Sequence, residues 1–252
     1  MEERKNKTFG LLGKNISYSF SRGYFTNKFK ELNLEGHSYK NFDLQNIAEL
    51  PQAIKKEALL SGMNVTIPYK EAVMPFLDEL DETAAEIGAV NTIKFTKDGK
   101  LKGYNTDVVG FENSLKPFLK EHHKYALILG TGGASKAVAY AFKKNNIQFK
   151  FVSRNPKNRS QISYEELTEA VIQKYNVIVN STPIGTFPDV DLCPNIPYQY
   201  LTDKHLLFDL IYNPEVTSFL AKGLEKGAAV KNGYQMLELQ AEESWRIWNE
   251  SK

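Results

Sequence analysis

The chain has a single cysteine, Cys193, in 252 residues, which excludes an internal disulfide framework. Nothing here calls for an oxidising compartment, so the expected location is cytoplasmic. Cys193 precedes Pro194 in a loop-like stretch and reads as incidental. Histidine is scarce too: four scattered residues beside one thiol offer no credible metal-ligand cluster. The charged start, Met1-Glu-Glu-Arg-Lys-Asn-Lys7, precedes only a short apolar run, so neither a signal peptide nor a membrane span is expected. Charge of one sign is also lacking, with 32 Lys and Arg against 30 Asp and Glu. No basic block is long enough to track a nucleic-acid backbone, so no nucleic-acid partner is expected.

What is present suits one or two folded domains, since 42% of residues are hydrophobic and 12% aromatic. The first half alternates strands and helices. Thr8–Leu12, Ser38–Phe42 and Met63–Ile67 read as strands, and the last is stopped by Pro68. Helical spacing covers Ser21–Leu32, Ile47–Leu60 and Thr83–Ile87. Val90–Phe95 and Leu101–Tyr104 flank the turn Asp98-Gly99 as a hairpin. A helix is expected over Asp107–Leu119, weakened at its end by Pro117. Further strands follow at Ala126–Leu129, Gln148–Val152, Val177–Val179, Leu206–Leu210 and Ala228–Val230. The tail from Tyr234 to Trp248 is a strong helix whose apolar stripe, both tryptophans included, reads as packing. The fold class expected is therefore α/β, with mostly parallel sheets in two domains joined near residue 105.

The most informative stretch is Tyr125-Ala-Leu-Ile-Leu-Gly-Thr-Gly-Gly-Ala-Ser-Lys136. A buried-type strand breaks at glycines and re-emerges as a helix, which aims backbone N–H groups at a phosphate. From Thr131 to Tyr164 there is no Asp or Glu, while Lys and Arg recur. The next strand ends at Ser153-Arg154-Asn155, where a carboxylate would suit NAD and an arginine suits a 2′-phosphate. This points to NADP, with Lys157 and Arg159 able to share the role of Arg154.

Several phrases then occur in order: Ser17-Tyr-Ser19, Asn64-Val-Thr-Ile-Pro-Tyr-Lys70, Gly88-Ala-Val-Asn-Thr92, Gly103-Tyr-Asn-Thr-Asp107, the glycine turn, Val179-Asn-Ser-Thr-Pro-Ile-Gly185, Phe208-Asp-Leu-Ile-Tyr-Asn-Pro214 and Gln235-Met-Leu-Glu-Leu-Gln-Ala241. Together, from about Phe9 to Trp245, they resemble the shikimate dehydrogenase family. The resemblance implies reversible reduction of 3-dehydroshikimate to shikimate with NADPH. It implies a substrate domain over residues 1–105, completed by the C-terminal helix 233–252, and a Rossmann domain over 106–232. Lys70 and Asp107 match the catalytic pair. Ser17 and Ser19 match hydroxyls that hold the substrate carboxylate, and Thr66, Asn91, Tyr212 and Gln240 match other substrate contacts. Gly130, Gly132, Gly133, Ala134, Ser153, Arg154 and Thr182 fall at cofactor-binding positions. A small-molecule substrate is implied, in a monomer or homodimer.

The chemistry stands beside the resemblance. Hydride delivery to a ketone builds charge on oxygen, which needs a proton from a positioned donor. Lys70 supplies an ammonium, and Asp107, at an expected helix start, can steady it. Such a pair titrates together, so sequence does not assign the transferred proton to either member. Departures from the family pattern are Phe20 in place of proline, Val108 in place of glycine, Ser153-Arg154-Asn155 for Asn-Arg-Thr, and Gln235-Met236 for Gly-Met. The rival readings are a dehydrogenase acting on quinate with NAD or NADP, and a catalytically silent nucleotide-binding regulator.

Overall fold

The computed structural model describes residues 6–16 and 19–250. The chain divides into two compact units, one running up to Thr106 and resuming at Ala241, the other Asp107–Gln240.

The first unit contains β1 (Thr8–Gly13), α1 (Phe20–Glu31), β2 (Ser38–Asp43), α2 (Leu50–Lys55), β3 (Leu60–Val65), α3 (Tyr69–Ala72), β4 (Glu79–Leu80), α4 (Glu82–Ile87), β5 (Thr92–Phe95) and β6 (Leu101–Tyr104). Its sheet runs β2-β1-β3-β5-β6-β4. The β1–β2, β1–β3 and β4–β6 pairings are parallel, while β5 is antiparallel to both neighbours. Every residue of β1 is buried, as a central strand covered on both faces requires. β2 lies at the sheet edge, and of its residues only Tyr39 and Phe42 are buried. At Gly10 a Cβ would meet the Phe42 ring at 2.3 Å, so only glycine lets that ring lie across the strand.

The second unit contains α5 (Asp107–Leu115), β7 (Tyr125–Leu129), α6 (Gly133–Lys144), β8 (Gln148–Val152), β9 (Gln161–Ile162), α7 (Glu169–Lys174), β10 (Val177–Asn180), β11 (Leu206–Asp209), α8 (Ser218–Leu224) and β12 (Ala229–Lys231). Its sheet is parallel throughout, in the order β12-β11-β10-β7-β8-β9. Strand order reverses between β7 and β10. In such doubly wound sheets, ligands bind past the carboxyl ends of the strands at that switch point. The last helix, α9 (Tyr234–Asn249), begins in this unit and ends in the first.

Core packing follows the apolar pattern of the sequence. In the first unit Phe9 stacks on Trp248 at 4.8 Å and meets Trp245 edge-on at 5.6 Å, with Phe25 and Phe29 completing the cluster. The Trp248 indole N–H donates to the Ile93 carbonyl at 3.0 Å, so both tryptophans are packing residues as expected. The second unit's core lies on its sheet around Leu127, Leu129, Ile178, Leu207 and Phe219.

Three local expectations shift. The helix expected over Ile47–Leu60 is a 3-10 turn, Ile47–Glu49, followed by α2, which stops at Lys55. Pro51 fits there because it falls in the first turn, where its missing N–H costs nothing, and Leu60 is already a strand residue paired with Thr8. β3 ends at Val65 rather than Ile67, which is 74% exposed. Val90 and Asn91 precede β5 instead of lying in it. Pro117 acts as expected: α5 stops at Leu115 and a 3-10 turn, Lys116–Phe118, takes over.

Candidate functional site

In the first unit, the residues singled out by sequence cluster at the carboxyl ends of β1 and β3. Thr66 follows β3, and its backbone N–H donates to the Leu12 carbonyl at 2.9 Å. Lys70 is the second residue of α3 and is half-buried. Its carbonyl accepts the Val90 N–H at 2.7 Å, and the Asn91 carbonyl accepts the Val65 N–H at 2.7 Å. These two bonds bring Thr66, Lys70 and Asn91 together. Ser19 lies on the connection after β1 and caps α1, its hydroxyl accepting the Arg22 N–H at 3.3 Å. Ser17 lies outside the described residues.

Asn91 is buried, 3% exposed, and its orientation is settled by its neighbours. Its Oδ1 accepts the Thr106 N–H at 2.7 Å, and its Nδ2 donates to the Thr106 hydroxyl at 2.9 Å. Because a backbone N–H can only donate, the amide cannot be flipped. Behind it lies a neutral lattice. Asn64 Nδ2 donates to the Ser244 hydroxyl at 2.9 Å, Ser244 meets Thr92 at 2.8 Å, and the Tyr39 hydroxyl donates to Asn64 Oδ1 at 2.8 Å. Burial pushes the Tyr39 phenol up, so it remains a protonated donor. Sequence reading missed Ser244. Its only signal is a small hydroxyl on the inward side of an otherwise apolar helix stripe.

In the second unit, Asp107 is buried and opens α5. A side chain at Gly110 would meet the Met236 carbonyl at 2.5 Å, so glycine there lets α5 lie close against the start of α9, which carries Gln240. Gln240 is itself buried and donates through Nε2 to the Leu237 carbonyl at 2.8 Å. Tyr212, half-buried, lines a cavity of about 380 Å³ together with Lys231, Asn232 and Gln235.

The glycine turn sits at the switch point. Gly130 has φ +101, and a Cβ on it would stand 3.0 Å from the Thr182 methyl and 3.1 Å from the Ser181 hydroxyl. The turn and the loop after β10 are therefore closely apposed. Gly132 is the N-cap of α6 and makes no side-chain cap bond. It is exposed, with nothing within 4 Å of where a Cβ would lie. Gly133 and Ala134 form the first turn of α6, and the Ser135 hydroxyl braces it by donating to the Gly132 carbonyl at 2.6 Å. Beyond β8, the Ser153 hydroxyl accepts the Asn155 N–H at 3.2 Å. That shapes a turn on which Arg154 is exposed, followed by exposed Lys157 and Arg159. Open N–H groups at a helix start with cations one strand away fit a dinucleotide carrying an extra phosphate.

Two buried polar residues here went unread in the sequence: Asn180, which ends β10, and Asp209, which ends β11. Burial pushes the Asp209 carboxyl up to about 6, although three hydrogen bonds oppose the shift. Among the described residues no group of His, Cys, Asp and Glu is arranged to hold a metal ion. None of the described helices is long and apolar enough to cross a membrane.

Comparison with known proteins is consistent along the chain. Residues 11–93 match the family model for the shikimate dehydrogenase substrate binding domain. The shikimate dehydrogenase (NADP(+)) of Methanosphaera stadtmanae is 35% identical, over 95% of this chain and 90% of its own length. The crystal structure of shikimate dehydrogenase 1 from Peptoclostridium difficile is 38% identical and superposes with a TM-score of 0.84, covering 98% of this chain and 92% of that one. The Thermus thermophilus shikimate 5-dehydrogenase structure, in complex with NADP(H) and shikimate, is 30% identical with a TM-score of 0.84, covering 96% and 93%.

Proposed function

This chain belongs to the shikimate dehydrogenase family, and we infer that it is an NADP-dependent oxidoreductase that interconverts 3-dehydroshikimate and shikimate, a step toward the aromatic amino acids. The observation that carries this reading is the switch point of the parallel sheet. There a left-handed Gly130 abuts Thr182, and the N-terminus of α6 stands open. Gly130, Gly132, Gly133, Ala134 and Thr182 would hold the nucleotide's phosphates and neighbouring groups, with Ser153 and Arg154 at the 2′-phosphate. When bound, NADPH supplies the hydride.

The remaining chemistry falls to the protein. Reduction of the ketone places negative charge on its oxygen, and Lys70 with Asp107 is the acid–base pair that delivers the proton there. Thr66 and Asn91 bind ring hydroxyls of the substrate. Asn91 suits this because the Thr106 N–H fixes which end of its amide is the donor. Ser17 and Ser19 bind the carboxylate, and Tyr212 and Gln240 complete recognition. The same reading assigns residues 1–105 with the C-terminal helix to substrate binding and 106–232 to the nucleotide. It makes the protein a cytoplasmic monomer or homodimer.

Replacing the ammonium tests the catalytic assignment. Lys70→Ala should lower kcat by about 10²- to 10⁴-fold, the usual range for a positioned acid or base. NADP⁺ affinity, measured by titration calorimetry, should stay within about twofold. Turnover equal to wild type would remove Lys70 from the mechanism.

A further inference from the structure

Two apolar strands of the second unit, Val177-Ile-Val-Asn180 and Leu206-Leu-Phe-Asp209, end in polar residues that stand opposite each other in the parallel ladder. Both side chains are 0% exposed. An amide and a carboxylate withdrawn this far from water must find partners. They find them in each other and in the two loops that leave their strands. Asn180 Nδ2 donates to Asp209 Oδ1 at 3.0 Å and to the Ile184 carbonyl at 3.3 Å. Asn180 Oδ1 accepts the Thr182 N–H at 3.1 Å and the Thr182 hydroxyl at 2.6 Å. Asp209 Oδ1 also accepts the Ile211 N–H at 3.0 Å, and Oδ2 accepts the Thr217 hydroxyl at 2.6 Å.

The result is one continuous chain of bonds from Thr182 and Ile184, through the pair, to Ile211 and Thr217. We propose that Asn180 and Asp209 act as a cross-strand positioning pair that fixes the loop bearing Thr182 and the loop bearing Tyr212 as one unit. This rests on the preceding reading, in which Thr182 meets the cofactor and Tyr212 the substrate. Neither Asn180 nor Asp209 is a catalytic residue. Their part is to make the order of one loop depend on the order of the other. A hydrophobic pair would fill the same volume but leave the Thr182, Ile184, Ile211 and Thr217 polar groups without those partners.

The polarity of the pair gives the test. Asn180→Asp keeps the shape but sets a second carboxylate against Asp209 and removes the donor to Ile184. Adding Asp209→Asn relieves the repulsion between the two carboxylates, but the new amide cannot both donate across the ladder and accept the Ile211 N–H, and the Ile184 carbonyl still lacks its donor. At about pH 8, Asn180→Asp should raise the KM for both shikimate and NADP⁺ by about tenfold, and the double variant should recover only the part of that loss due to charge repulsion. Hydrogen exchange should quicken in peptides covering residues 181–186 and 210–213 alike, and slow only partway in the double variant.

If Asn180→Asp does not fold, Asn180→Ala removes the bonds to Asp209, Ile184 and Thr182 without adding charge and is expected to raise both KM values likewise. Both KM values within twofold of wild type in a folded variant, or faster exchange in one loop only, overturns the pairing. Failure of the wild-type protein to oxidise shikimate would instead reject the functional reading, and the exchange measurement would still decide the pairing by itself.

Discussion

The polar lattice behind Asn91 and the one around Asp209 are built in opposite ways. In the first unit the polar groups behind Asn91 are neutral: Asn64, Thr92, Thr106 and Ser244 donate to and accept from one another, with Tyr39 as an end donor. In the second unit a carboxylate is buried at a strand end, held by an amide, a backbone N–H and a hydroxyl. Two buried histidines lie elsewhere in the same unit. His123 and His205 each accept a backbone N–H at Nδ1, at 3.0 Å, and point Nε2 at a carbonyl. A neutral lattice can hold a side chain in one orientation at any moderate pH. A lattice containing a buried carboxylate has a stability that depends on the proton.

The largest expected effect breaks this contrast at Asp209. Its carboxyl is raised from 3.8 to about 6 by burial, so the folded state binds the proton more tightly than the unfolded chain does. The stability it lends is full below about pH 4 and is lost as pH rises through about 6, a swing of about 3 kcal/mol. Asp209→Asn removes the titrating group. Wild-type stability measured against that variant in urea should fall by roughly that amount between about pH 4 and about pH 7. A difference that does not vary with pH contradicts the buried-carboxylate account.

Next comes Ser244→Ala, which removes the hydroxyl shared by Asn64, Thr92 and Thr106. Those three retain bonds to one another or to Asn91, so the cost is about 1–2 kcal/mol. Calorimetric unfolding should show the same loss at pH 5 and pH 8, within about 0.5 kcal/mol. A pH-dependent loss would mean the first unit's lattice is not neutral.

The smallest effect belongs to His123, whose pKa is lowered first by burial. The folded state then favours the neutral ring. Its contribution is complete above about pH 6.5 and is lost as pH falls through the lowered value, the reverse of Asp209. His123→Gln should flatten that limb of the urea-stability profile. An unchanged slope would exclude His123 as its source.

Much of this was legible in the sequence, for reasons that differ by element. The apolar runs within β1, β7 and β10 and the Asp98-Gly99 hairpin carry their own signals, as does the stripe of α9. The two-residue strands β4 and β9 carry none, because two residues have no period. Asn91 looked like a strand residue since Val90 and Thr92 beside it are β-branched. It lies one residue before β5, its N–H still donating to the Tyr104 carbonyl at 3.0 Å and its carbonyl accepting the Val65 N–H at 2.7 Å. The catalytic and substrate candidates were read only as phrases, whereas the glycine turn and Arg154 also carry a local pattern of their own. Asn180 and Asp209 stood inside two of those phrases, yet their partnership depends on strand order, which local sequence does not encode. What local sequence does offer is an apolar strand ending in an amide and another ending in a carboxylate.

The most direct measurement is steady-state turnover of the purified protein on shikimate and quinate, each with NADP⁺ and NAD⁺. Shikimate with NADP⁺ should give a kcat/KM at least about tenfold above any other combination, the least that one well-placed charged contact provides. No turnover with shikimate, or an equal rate with NAD⁺, would contradict the account.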